Sequence, residues 1–201
     1  MYQPQQQLSA TKSLLCIFIS VMSAIVVSLG VIMLIIYLVF KPRNPEFQVY
    51  SAQLTSLTLS GYYLTAKWNF DIIISNPNKK LDISYNPVSA TVFYSKNINQ
   101  FGPISNIPLK PFYQPKKSKA LVRFETQVTN LFVGNGIASG IVNGQFQHSL
   151  QFGIEFRAYV IRKGLFHPKN SWLKVTCAPM NFVIGSRATI WDLEHPVKCN
   201  I

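Results

Sequence analysis

With 201 residues and a net charge of +12, the chain has room for one membrane anchor plus one globular domain, which excludes a multidomain assembly. Eighteen of its nineteen Lys and Arg residues and all seven acids follow residue 40, so that part alone carries +11 and is drawn to anionic surfaces. Lipid headgroups and acidic polysaccharides fit such a charge; nucleic acid is disfavoured, because a membrane-anchored protein meets it less readily.

The chain opens on a short polar tail, 1–12, with Lys12 its one basic side chain. From Ser13 to Phe40 no residue is charged, and Leu, Ile, Val and Phe dominate from Leu14 onward. About 20 apolar residues cross a hydrocarbon core of ~30 Å, so 13–40 is long enough to span. A soluble helix would keep a polar face, and this run keeps none. A cleaved signal has an apolar region of roughly 7–15 residues before small cleavage-site residues. Here the run is longer and ends on Lys41-Pro42-Arg43, so it reads as a retained anchor. Flanking charge does not orient it, since Lys12 with the α-amino group nearly balances Lys41 with Arg43. Ser20, Ala24 and Ser28 repeat every four residues, a weak pattern for helix pairing and homo-oligomers. Cys16 at the membrane boundary is a lipidation candidate if that end is cytosolic, or else an inert lipid-facing thiol.

The segment 41–46 reads as a polar, proline-stiffened stalk, and 47–201 as the globular domain. Leu64, Ala66, Trp68, Phe70, Ile72 and Ile74 alternate with polar residues, the signature of a half-buried strand. The same period recurs from Leu150 to Val160 and from Ala120 to Val128. Weaker strands are expected near Phe47–Leu59, Leu81–Tyr85, Val88–Tyr94 and Trp172–Cys177. Turns are expected at Asn76-Pro77-Asn78, Asn86-Pro87, Gly102-Pro103 and His167-Pro168-Lys169-Asn170. The fold class is therefore an N-terminal membrane helix plus an antiparallel β-sandwich of about seven or eight strands.

No nucleophile elbow, phosphate loop or zinc motif is present. Gly134, Gly136 and Gly140 miss the dinucleotide fingerprint by one residue and read as a loop, although 133–144 could hold a short helix. His148, His167 and His195 lack ligand spacing, so no metal, cofactor or catalytic residue is expected. Three basic clusters stand at apparent turns: Lys79-Lys80, Lys116-Lys117 with Lys119, and Arg162-Lys163. They are ordinary solvated side chains unless several share one end of the sandwich, where they would form an anion-binding rim. Aromatics lie nearby at Tyr85, Phe112, Tyr113 and Phe166, mostly at core-like alternating positions. Cys177 and Cys199, an even pair, are either a disulfide or two separate buried thiols.

The stretch Asn76-Pro77-Asn78-Lys79-Lys80, followed by Ile83 and Tyr85, resembles the plant NHL family of non-race-specific disease resistance and harpin-induced-like proteins. That family is built on the late embryogenesis abundant subgroup 2 domain. Pro42-Arg43-Asn44-Pro45-Glu46-Phe47 after the anchor, Phe112-Tyr113-Gln114, the run Trp172–Cys177 and the terminal Cys199 match it in order. The resemblance implies a fibronectin-III/Ig-like form of the β-sandwich, plasma-membrane residence, a cytosolic N-terminus with the domain outside, and a role in defence, including hypersensitive-type responses, or stress. A non-enzymatic interaction protein is implied, with a protein, lipid or anionic cell-wall polymer as partner. A tethered desiccation protectant without a specific partner is the alternative, and a carrier with a ligand pocket between the sheets comes third. No Asn-Gly-Asp adhesion motif and no N-x-[ST] sequon occurs.

Overall fold

The computed structural model describes residues 5–95, 102–164, 169–185 and 190–201. Phe166, His167 and the Pro168 of the expected turn lie outside the described residues, as does the start of the tail; Lys169 and Asn170 already belong to a strand. The chain divides into two compact units at Pro42/Arg43.

The first unit holds one helix, α1, Gln5–Phe40. Its window Leu15–Leu38 has a mean hydropathy of 2.8 over 24 residues, long and apolar enough to cross a membrane. Helix extends back to Gln5 through the segment read as a tail, because no proline separates Pro4 from Pro42. The hydroxyls of Ser23 and Ser28 donate to the carbonyls of Ser20 and Ile25 three residues earlier, which satisfies them without a partner helix. Cys16 is a free, exposed thiol.

Among its described residues the second unit is antiparallel β apart from one short helix. Its strands are β1 (Glu46–Ser60), β2 (Tyr63–Ser75), β3 (Asp82–Tyr94), β4 (Pro103–Leu109), β5 (Phe112–Gln114), β6 (Lys119–Phe132), β7 (Ser149–Lys163), β8 (Lys169–Ile184), β9 (Trp191–Leu193) and β10 (Val197–Lys198). Their order is β4-β3-β7-β8-β9-β1-β2-β6, with β5 added to β3 and β10 to β1. The three alternating runs are β2, β7 and β6. In β2 and β7 every expected inward residue is buried. In β6, the last strand of the order, only Thr126 is fully buried.

Rings from opposite halves of the sheet meet in the middle. Trp68 packs edge-on to Phe152 at 5.5 Å, and Phe47 and Phe124 approach Phe156 at 5.8 and 6.1 Å. At the ends of the order, the Ser105 hydroxyl of β4 bonds the Thr126 hydroxyl of β6, so the sheet closes into a barrel-like form. The two layers of the expected sandwich are thus one sheet, joined where β9 pairs with β8 on one side and β1 on the other.

One local expectation changes and one open alternative is decided. Asn86-Pro87 is no turn but a bulge inside β3, between the pairs Tyr85↔Val160 and Val88↔Ala158; a bulge is where a strand tolerates the missing proline N–H. The glycine-rich segment, open in sequence between a short helix and a loop, is a helix, α2 (Gly134–Phe146). A Cβ at Gly140 would lie 2.5–2.8 Å from the Tyr94 ring, so glycine lets α2 sit directly on it.

The void between the layers, walled by Phe47, Ile72, Tyr85 and Phe156 among others, has a volume of about 10 Å³. That leaves no room there for an apolar ligand of the carrier type.

Candidate functional site

The segment between β2 and β3 makes one of the most densely bonded polar clusters in the domain. Asn76 and Asn78 are both buried, at 2% and 4% exposure, so their amides must find protein partners. Asn76 donates through Nδ2 to the carbonyls of Leu81 (2.9 Å) and Pro115 (3.0 Å). Its Oδ1 accepts from the Asn78 backbone N–H (3.0 Å) and Asn78 Nδ2 (2.9 Å), an Asx-type turn that fixes the chain reversal. Asn78 then clasps Arg43: Oδ1 accepts its N–H and Nδ2 donates to its carbonyl, both at 2.8 Å. The segment read as a stalk is therefore stitched to the domain from Arg43 onward.

Backbone bonds from Asn76 N–H to the Ser118 carbonyl and from Lys117 N–H to the Asn78 carbonyl join the β5–β6 turn to the same knot. Gln114, buried in β5, donates to the carbonyls of Ile74 and Ser118 and accepts from the Tyr85 hydroxyl. Burial pushes the Tyr85 phenol well above its ordinary value, so it stays a neutral donor. Asp82 accepts from the Tyr113 hydroxyl and the Lys116 N–H, which hold its carboxyl below the usual range.

This geometry brings the basic clusters together. Lys79 and Lys80 stand in the β2–β3 turn; Lys116, Lys117 and Lys119 stand in and after the β5–β6 turn, with Lys119 opposite Ser75. Lys163 lies opposite Asp82 at the end of β7. All six lysines are exposed, as is Arg43. They occupy the pole of the domain through which the chain runs toward α1.

Arg162 departs from the expectation of a surface loop residue. It lies within β7, is 6% exposed, and donates through Nη1 to Ser171 Oγ (2.7 Å) and through Nη2 to Asn44 Oδ1 (3.0 Å). Burial lowers its pKa, and none of the described ion pairs includes it. Its position follows from strand period: Val160 and Arg162 share the inward face of β7. Arg162 thus ties the incoming chain at Asn44 and adds positive charge beneath the lysines.

Cys177, fully buried in β8, is disulfide-bonded to Cys199. The Cys199 N–H also donates to the Phe47 carbonyl, fastening the C-terminus over β1. The role of Gln114, Asn44 and Tyr85 in the knot was hidden in sequence. Tyr85 and Gln114 lie 29 residues apart, Gln114 and Ile74 40, and Asn44 and Arg162 118. The available signal was a glutamine at a strand position preceded by two aromatics, Phe112 and Tyr113.

No protein-family model matches the chain. Among curated proteins it is similar to NDR1/HIN1-like protein 10 of Arabidopsis thaliana, with 27% identity over 93% of this chain and 83% of that one. NDR1/HIN1-like protein 3 of the same plant is likewise 27% identical, over 93% of this chain and 80% of its own length. NDR1/HIN1-like protein 6 reaches 36% identity over 45% of the chain. A crystal structure of a protein from Archaeoglobus fulgidus superposes with a TM-score of 0.34 and 9% identity, covering 71% of this chain and 97% of that one.

Proposed function

The chain belongs to the NDR1/HIN1-like family of plants, and from that premise we propose a non-enzymatic, membrane-anchored protein of defence or stress response whose basic pole binds anionic headgroups of its own membrane. The observation that carries this reading is the convergence of three lysine-bearing segments on the pole where the chain leaves for the anchor. Arg43 is the fifth residue after Leu38, and an extended chain covers at most about 3.6 Å per residue. Arg43, clasped by Asn78, therefore stays within roughly 18 Å of the end of the span. Each cation near an anionic surface contributes about 1 kcal/mol, so several acting together hold a domain down.

We further propose the plasma membrane as its site, with a cytosolic N-terminus and the domain outside, as the resemblance to that family implies. The Cys177–Cys199 bond supports that orientation, since disulfides persist in oxidising compartments. Protease protection of sealed cells combined with non-reducing electrophoresis tests it. A protected domain with free thiols would place it in the cytosol.

The headgroup reading is tested with full-length protein in nanodiscs, by hydrogen exchange of the 78–81 and 116–119 amides. Protection in phosphatidylserine-containing discs, absent in zwitterionic discs and lost near ~0.5 M salt, is expected. Equal exchange in both lipids would sink the idea.

A further inference from the structure

On the outer face of the sheet, away from the basic pole, a groove of about 650 Å³ opens across β4, β3, β7 and β8. Its apolar surface comes from Pro87, Pro108 and Trp172, and its polar surface from Ser89, Arg157 and Lys174. Register explains the grouping. Pro108, Ser89, Arg157 and Lys174 pair in one row across four strands, and Tyr159 and Trp172 pair in the next row on that face. Trp172 is 68% exposed, whereas Trp68 and Trp191 are buried. Tyr159 braces it edge-on at 5.4 Å. An exposed, braced tryptophan between prolines is a rigid apolar platform, and such residues dominate binding energy where they occur in recognition surfaces.

The charge is arranged for an anion. Glu155 Oε1 accepts from Arg157 Nε (2.6 Å), and its Oε2 pairs with Lys174 Nζ (3.0 Å). The Glu155 side chain is 16% exposed while those of Arg157 and Lys174 are 63% and 64% exposed, so one recessed carboxylate positions two outward cations. Only Nε of Arg157 is used in these contacts, which leaves its two Nη groups for a ligand carboxylate. Strands β3 and β7 are paired on both sides here, so recognition over them must come from side chains.

We propose that this groove binds a saccharide carrying a uronic acid, with the pyranose face on Trp172 and the carboxylate on Arg157 and Lys174. The sugar's C–H face matches the aromatic platform, its hydroxyls match Ser89, and its charge matches the net +1 of the three ionic groups. The site is separate from the lysine pole and does not depend on the reading given above for that pole.

Calorimetry of full-length protein in zwitterionic nanodiscs, titrated with trigalacturonic acid, tests the proposal. Saturable binding is expected, with Trp172, the exposed tryptophan, reporting it by a change in fluorescence. Trp172→Ala and Arg157→Gln should each weaken binding about tenfold or more. Glu155→Gln should strengthen it by releasing both cations. Gln at Lys116, Lys117 and Lys119 should leave it unchanged. The proposal is overturned by no binding, by equal binding of a neutral trisaccharide or of triglutamate, or by wild-type affinity in Trp172→Ala. Loss of binding in the lysine variant with retention in Trp172→Ala would move the anion site to the basic pole and overturn it as well.

Discussion

Asn78 makes four hydrogen bonds with its side chain and backbone N–H in a space where water does not reach, and two of them hold Arg43. Replacing it with Ala leaves the Arg43 N–H and carbonyl without those partners. Asn78→Ala should therefore cost about 2–3 kcal/mol, seen as a lower denaturant midpoint with an unchanged slope. The motif Asn76-Pro77-Asn78 is thus a structural fastening, and the lysines after it are the part left for solvent. Asp82 gives a pH-dependent counterpart. Its carboxyl is held below the ordinary value of ~3.9, so its contribution to stability is complete above that pH and is lost as pH falls through the folded value. Asp82→Asn should flatten part of the fall in melting temperature between about pH 5 and 3. Glu155 will retain a share of it. Burial alone would raise the Glu155 carboxyl, but hydrogen bonds from Arg157 and Lys174 outweigh burial and lower it.

At the scale of elements, two glycines of α2 make opposite predictions from the same substitution. Gly136 has open space around its would-be Cβ, so Gly136→Ala should stabilise by about 0.5–1 kcal/mol through lower unfolded-state entropy. Gly140→Ala gains the same entropy but drives its methyl into Tyr94, whose ring is backed by Phe152 at 5.7 Å and cannot retreat. A net loss of about 1–2 kcal/mol is expected, and thermal denaturation of the pair checks both signs. The disulfide works on another element. It closes a 22-residue separation between β8 and the C-terminus, and its reduction should cost about 3 kcal/mol. The strands legible in sequence were those with a long alternating run, β2 and β7 above all. β9 and β10, three and two residues long, have no period to read. In β4, Pro103 and Pro108 disguise a strand at the edge of the order, where a missing N–H is tolerated.

The β-domain as a whole has two unlike poles. At one end of the β2–β6 ladder Ser75 faces Lys119 among the lysine turns; at the other Tyr63 faces Phe132, and Tyr62 joins them in an exposed aromatic cluster with ring separations of 6.3 and 5.7 Å. Gln at Lys116, Lys117 and Lys119 should leave the melting temperature nearly unchanged, since exposed lysines contribute within about 0.5 kcal/mol. The same variant should lose much of its protection in anionic nanodiscs, which separates folding from surface binding.

The sequence by itself determined the uncharged span of 13–40, the alternating strands and the basic excess, because hydropathy, period and charge are local quantities summed along a chain. Only the tertiary structure decided that three lysine segments share a pole while Arg162 turns inward. It alone decided that β9 makes one sheet of two layers, and that Trp172, Arg157 and Lys174 meet on one face. Those facts depend on register between strands far apart in sequence. Register is set by which side chains must be buried together, and no single segment encodes it.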